Sequence, residues 1–136
     1  MKLTDQGEFL IKSESDIVMA RKVVREAATA LGFGITDVTR IVTAASEMTR
    51  NIYQYAGSGS MHWRTVSKGS VPGLELTFED HGPGIPDLNK AMEPGFSTGK
   101  GLGMGLPGAK RLMDEMTIQS EPGKGTTVGL RKWLKK

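Results

Sequence analysis

Apolar residues recur at three- and four-residue steps along two long segments of the chain. Ile17, Ala20, Val24, Ala27 and Leu31 form one stripe, and Val38, Ile41, Ala45, Met48, Ile52 and Tyr55 form a second. That spacing is the period of a helix with one face on a core. It predicts a first helix capped by Ser13 or Ser15, whose hydroxyls can accept first-turn N–H groups, and ended at Gly32, with Gly34 loosening the connection. The second helix is expected to start at a Thr36 cap and run to about Ala56, stopping at Gly57. Asp37 then sits in its first turn, where a negative charge suits the dipole. Leu106, Ala109, Leu112, Met113 and Met116 supply a third stripe, with Pro107 in a first turn that tolerates it.

Strand character marks Glu8 to Lys12, Met61 to Ser67, Leu74 to Glu79, Met116 to Ser120 and Thr126 to Leu134. Turns are expected at Ser70–Gly73 and Glu121–Gly125. Residues 81–104 are rich in Gly and Pro, with room for one short helix near 87–92. Loops of that length are usually functional or disordered. The order β-α-α-β-β-loop-α-β-β lacks the alternation of a doubly wound fold. It predicts an α+β two-layer sandwich, with a mixed but mainly antiparallel sheet and helices on one face.

A length of 136 residues fits a single domain, 1–136. With 38% hydrophobic and 24% charged residues the balance is that of a globular chain. No apolar run approaches the ~18 residues of a membrane span, and the N-terminal stretch lacks the apolar core of a signal peptide. The absence of cysteine removes disulfides, thiolate nucleophiles and cysteine metal sites, and permits a cytoplasmic location. A net charge of +3 with 6% aromatic residues gives no basic, aromatic-studded stripe for nucleic acid. Glycine stands out: ten of the 18 lie between Gly82 and Gly125.

Four groups of residues could carry chemistry. Glu47 and Asn51, four apart, share one side of the second helix at the edge of its apolar stripe. A carboxylate can take a hydroxyl proton and an amide oxygen can ligate Mg²⁺, although a solvated helix face would look the same. Asp80-His-Gly-Pro-Gly-Ile-Pro86 follows a strand. There Gly82 and Gly84 would let backbone approach a flat ligand and Asp80 could accept from an exocyclic amine, or the segment is a strand-ending turn.

Gly99-Lys-Gly-Leu-Gly-Met-Gly-Leu-Pro-Gly108 opens the third helix. It has neither the strand context of a dinucleotide fingerprint nor the spacing of a Walker A loop. Bare N–H groups at a helix start suit phosphate; a hinge is the plain alternative. Gly123-Lys-Gly-Thr-Thr127 enters the last strand, where Thr126 either reaches a ligand or sits in a turn. His62 and His81 lack the partner spacing of a metal site or triad.

The order of these groups is more specific than any one of them. E-x-x-x-N on a helix, D-x-G-x-G after a strand, G-x-G-x-G opening a helix and G-x-G-T before a strand resemble the GHKL superfamily, with its Bergerat ATP-binding fold. The resemblance spans essentially the whole chain. It is strongest to the small serine/threonine kinases of bacterial sigma-factor partner switching, including the switch kinases of the stressosome. The segments Ser46–Tyr53, Asp80–Pro86, Gly95–Thr98 and Gly101–Asp114 carry that likeness.

The resemblance implies ATP and Mg²⁺ as cofactors. It makes Glu47 the catalytic base or hydroxyl-orienting carboxylate and Asn51 the Mg²⁺ ligand. Asp80 would read adenine, with Gly82 and Gly84 shaping the pocket and Thr126 assisting. Residues 87–101 would be the ATP lid. Gly101, Gly103, Met104, Gly105 and Leu106 would line the phosphates, with Ser97, Thr98 and Lys100 as lid contacts. His81 departs from the Asn, Asp or Gln found there in many relatives. The implied partners are STAS-domain antagonist or scaffold proteins and a PP2C-type phosphatase upstream of a stress sigma factor, with neither nucleic acid nor membrane. A lone domain of this kind is expected to act on a partner protein. The rival expectation is an anti-sigma factor or nucleotide-dependent binding switch of the same fold.

Overall fold

The computed structural model describes residues 6–82, 105–121 and 123–134. Strand β1 (Gln6–Ile11) leads into α1 (Ser15–Leu31) and α2 (Ile35–Tyr55); then come β2 (Gly59–Lys68), β3 (Val71–Asp80), α3 (Gly105–Leu112), β4 (Glu115–Glu121) and β5 (Gly125–Trp133). The five strands lie in the order β1-β2-β3-β5-β4. All four pairings are antiparallel, so the parallel component of the expected mixed sheet does not occur among the described strands. The α+β architecture itself is as expected.

Alternation along each strand assigns its two faces. Ile11, Met61, Leu74, Leu76, Phe78, Val128 and Leu130 point into one core with Ala20, Val24, Ile41, Ala45, Met48 and Ile52 of the helices. Each large apolar side chain fully withdrawn from water there contributes ~1.5–3 kcal/mol. Helix α2 packs against both α1 and α3, so it is the middle element of the helical layer. Its interior is therefore flanked on three sides, which explains why Ala44, Ala45 and Thr49 are all fully buried.

The opposite sheet face is polar. Register aligns Arg64, Glu75 and Arg131 across β2, β3 and β5. Arg64 Nε and Arg131 Nε donate to the two oxygens of Glu75 at 2.5 and 2.6 Å. Burial pushes the Glu75 carboxyl up, but the two guanidinium hydrogen bonds and charges outweigh it and hold the group below its ordinary value.

Several boundaries differ from expectation for identifiable reasons. Neither Ser13 nor Ser15 caps α1 at its N-cap residue, Glu14. No side chain caps the helix; the N–H groups of Asp16 and Ile17 donate to the carbonyls of Ser13 and Glu14, while the Asp16 carboxylate ties down the approach by accepting from Lys12 N at 2.9 Å and Ser13 N at 3.0 Å. For α2 the N-cap is Gly34, in extended conformation, which places Thr36 inside the first turn. Tyr55 is 48% exposed and leaves the apolar stripe, because the helix ends there and its last turn overhangs the core. The β2–β3 turn is the two residues Gly69-Ser70, with Gly69 at φ 62°, and Val71 to Gly73 pair with β2. Met116 belongs to β4. The short helix expected near 87–92 lies outside the described residues.

Candidate functional site

The middle helix positions Glu47 and Asn51. Ile52, next to Asn51, is 3% exposed and anchors the last turns of α2 on the sheet. With α1 and α3 flanking α2, Glu47 lies much deeper than the edge of a stripe would suggest, at 5% exposure, while Asn51 is half-buried. Arg50 Nη1 donates to Glu47 Oε2 at 2.9 Å. Beneath them Thr49 is sealed in, its hydroxyl donating to the Ala45 carbonyl at 2.7 Å.

The second group gathers at one end of the sheet. Gly59, Asp80, Thr126 and Ser120 are successive cross-strand partners on β2, β3, β5 and β4. Asp80 shares the helix-facing side of β3 with Phe78 and lies under the end of α2. Its Oδ1 accepts from Gly82 N at 2.9 Å, a tight turn that fixes the carboxylate. The Thr126 and Ser120 hydroxyls are 2.9 Å apart.

Close approach around Asp80 depends on missing side chains. A Cβ at Gly82 would lie 2.6 Å from Ala56 Cβ, and one at Gly59 would lie 2.8 Å from Ile52 Cγ2. At Gly125 the backbone is left-handed, φ 109°, and a Cβ would lie 2.1 Å from the Asp80 carbonyl oxygen. These three glycines let α2, β2 and β5 converge on the end of β3.

The third group is only partly in view. Helix α3 starts at Gly105, and Leu106, 7% exposed, seats its first turn in the core beside α2. At the other end Lys132 Nζ, on a side chain just 6% exposed, donates to the Leu112 carbonyl at 2.9 Å. It also lies 3.7 Å from Asp114 and 3.8 Å from Asp37, tying the end of α3 to the start of α2.

Of the expected site residues, Glu47, Asn51, Asp80, Gly82, Gly105, Leu106 and Thr126 fall on α2, the end of β3, the start of α3 and the start of β5. Gly84, Ser97, Thr98, Lys100, Gly101, Gly103 and Met104, with the expected lid 87–101, lie outside the described residues. Sequence reasoning missed Ser120, Gly59 and Ala56, which only strand register and helix docking bring to Asp80. Arg50 fell inside the Ser46–Tyr53 motif with no role of its own, although its i, i+3 spacing to Glu47 was visible.

This arrangement can be set beside known proteins. Residues 36–136 match the model of the "Histidine kinase-, DNA gyrase B-, and HSP90-like ATPase" family. The chain belongs to that family. It is 51% identical to the serine/threonine-protein kinase RsbT of Bacillus subtilis over 133 residues, 98% of this chain and all of that one. It is 36% identical to the anti-sigma F factor of Thermoanaerobacter sp. over 141 residues, covering 98% of this chain and 97% of the relative. A crystal structure of RsbU and RsbW domains from Mycobacterium tuberculosis superposes with a TM-score of 0.66 at 20% identity, over 95% of this chain; this chain spans 32% of that one. That likeness establishes the fold. Within the ATPase family, then, the chain is a protein-kinase homologue of the group that regulates sigma factors.

An ATP-binding family raises the question of Mg²⁺. Among the described residues there is no group of three or more His, Asp or Glu able to hold a metal ion. Mg²⁺ needs none, because it commonly takes one or two protein oxygens together with substrate phosphates and waters. The neutral, half-buried amide of Asn51 fits that habit. No helix among the described residues is long and apolar enough to cross a membrane.

Proposed function

We propose that this kinase transfers the γ-phosphoryl group of ATP to a serine or threonine hydroxyl of a STAS-domain antagonist or scaffold protein. Released by that phosphorylation, it would activate a PP2C-type phosphatase in the cytoplasm. In this reading residues 1–136 form one kinase domain and residues 87–101 its ATP lid. The observation that carries the proposal is the buried Glu47 carboxylate, one helical turn from the Asn51 amide on the middle helix.

Asp80 would hold the adenine amine, with Gly82 and Gly84 admitting the ring and Thr126 assisting. The amides of Gly101, Gly103, Met104, Gly105 and Leu106 would take the phosphates at the start of α3, and Ser97, Thr98 and Lys100 would reach them from the lid. Bound through Asn51, Mg²⁺ would supply charge neutralisation at the phosphates. The partner's hydroxyl oxygen bonds to the γ-phosphorus as the bond to the β–γ bridging oxygen breaks and its electrons leave with ADP. Glu47 receives the hydroxyl proton and passes it to water.

The test is transfer from labelled ATP to a STAS-domain protein encoded beside the kinase. Glu47→Gln is expected to slow transfer on the order of 10²-fold while leaving ATP binding intact. Asn51→Ala should weaken Mg²⁺-dependent ATP binding. Undiminished transfer by both variants refutes the assignment. The anti-sigma relatives support a second reading, in which the chain holds a sigma factor directly. Recovery of sigma factor in place of STAS and phosphatase proteins, by affinity capture with and without ATP, would select it.

A further inference from the structure

The proposed chemistry needs one oxygen of Glu47 aimed at an incoming hydroxyl, yet a glutamate has three rotatable bonds and two equivalent oxygens. The structure resolves that ambiguity within α2. Arg50 Nη1 donates to Oε2 at 2.9 Å, and the Glu47 side chain is 6% exposed against 34% for Arg50. The contact is one nitrogen to one oxygen, unlike the bidentate fork that arginine adopts where recognition of a carboxylate is the whole purpose. Among the described residues Oε1 takes no hydrogen bond, and none of their buried side-chain polar atoms is left unsatisfied. Among the described residues Oε2 is therefore the engaged oxygen and Oε1 the one left to take another partner.

We infer that Arg50 is a positioning residue that clamps Oε2 of Glu47 and so presents Oε1 to the substrate hydroxyl. The inference rests on the proposed role of Glu47. Because both residues sit one turn apart on a single 21-residue helix, the clamp forms without nucleotide, lid or partner. The carboxylate is thus held ready before the partner docks, and no reorientation has to accompany the transfer. Proton movement is unchanged by the clamp: the hydroxyl proton goes to Oε1, and Arg50 keeps its own protons throughout.

The experiment measures single-turnover transfer from labelled ATP to the same STAS-domain protein, with ATP affinity determined separately on each variant. Arg50→Met should slow transfer by ~10- to 100-fold, the scale of an ångström-level misplacement, at unchanged ATP affinity. Arg50→Lys should recover most of the rate, because a single donor at i, i+3 suffices. The double variant Glu47→Gln/Arg50→Met should be no slower than Glu47→Gln alone, since a clamp with nothing to position contributes nothing.

Losses that multiply in the double variant would show that Arg50 acts on the phosphoryl group independently, which overturns the inference. So would an Arg50→Met enzyme running at the wild-type rate. Equal loss of ATP binding in Arg50→Met and Arg50→Lys would make Arg50 a structural residue and likewise overturn it. Full-rate transfer by Glu47→Gln would instead overturn the reading of Glu47 beneath it.

Discussion

Replacing Gly125 by alanine tests the convergence of strands on Asp80. Two contributions are separable there. The left-handed backbone, φ 109°, strains any residue with a Cβ by ~1–3 kcal/mol. The added methyl would also lie 2.1 Å from the Asp80 carbonyl oxygen and 2.8 Å from His81 Cα, where ordinary contact begins at 3.4 Å. Backbone on one side or the other must shift by about an ångström, and overpacking of that kind costs ~1–3 kcal/mol more. The expected loss is ~2–6 kcal/mol, a large part of the ~5–15 kcal/mol that stabilises a typical domain.

Gly123 provides the control, with φ 81° and nothing within 4 Å of the point a Cβ would occupy. Its alanine variant should carry the conformational contribution alone. Urea unfolding of both, followed through Trp63 and Trp133 fluorescence, gives the difference directly. ATP affinity should fall for Gly125→Ala and hold for Gly123→Ala, because only the first displaces Asp80. Equal stability losses in the two variants would refute the packing argument.

Two further outcomes follow from charges outside the site. Lys132→Met should lower stability by ~1–3 kcal/mol in urea unfolding, since it takes the buried donor from the Leu112 carbonyl while Asp37 keeps Arg40 and Asp114 keeps the Trp133 N–H. Glu75→Gln should cost ~1 kcal/mol or somewhat more at neutral pH through its two arginine partners. Because the folded carboxyl titrates below its ordinary 4.5, the wild-type advantage should be complete above that value and disappear as pH falls through the lower folded one. A difference that persists unchanged in acid would contradict the assignment of that carboxylate.

The stripes through Val24, Ile41 and Met48 were enough to establish that two helices cover a sheet, because helical period and burial are properties of neighbouring residues. The motifs around Glu47, Asp80 and Thr126 were legible for the same local reason, since each lies within a few positions along the chain. The helix starts were not: both helices begin without a side-chain cap, α1 at Glu14 and α2 at Gly34, because backbone carbonyls of the entering chain take the first-turn N–H groups that hydroxyls were expected to take. The depth of Glu47 came from packing, because it depends on α1 and α3 flanking α2. Only register could place Ser120 and Gly59 in line with Asp80, from strands about 40 and 20 residues away, because cross-strand neighbours are chosen by the antiparallel ladder and not by sequence distance.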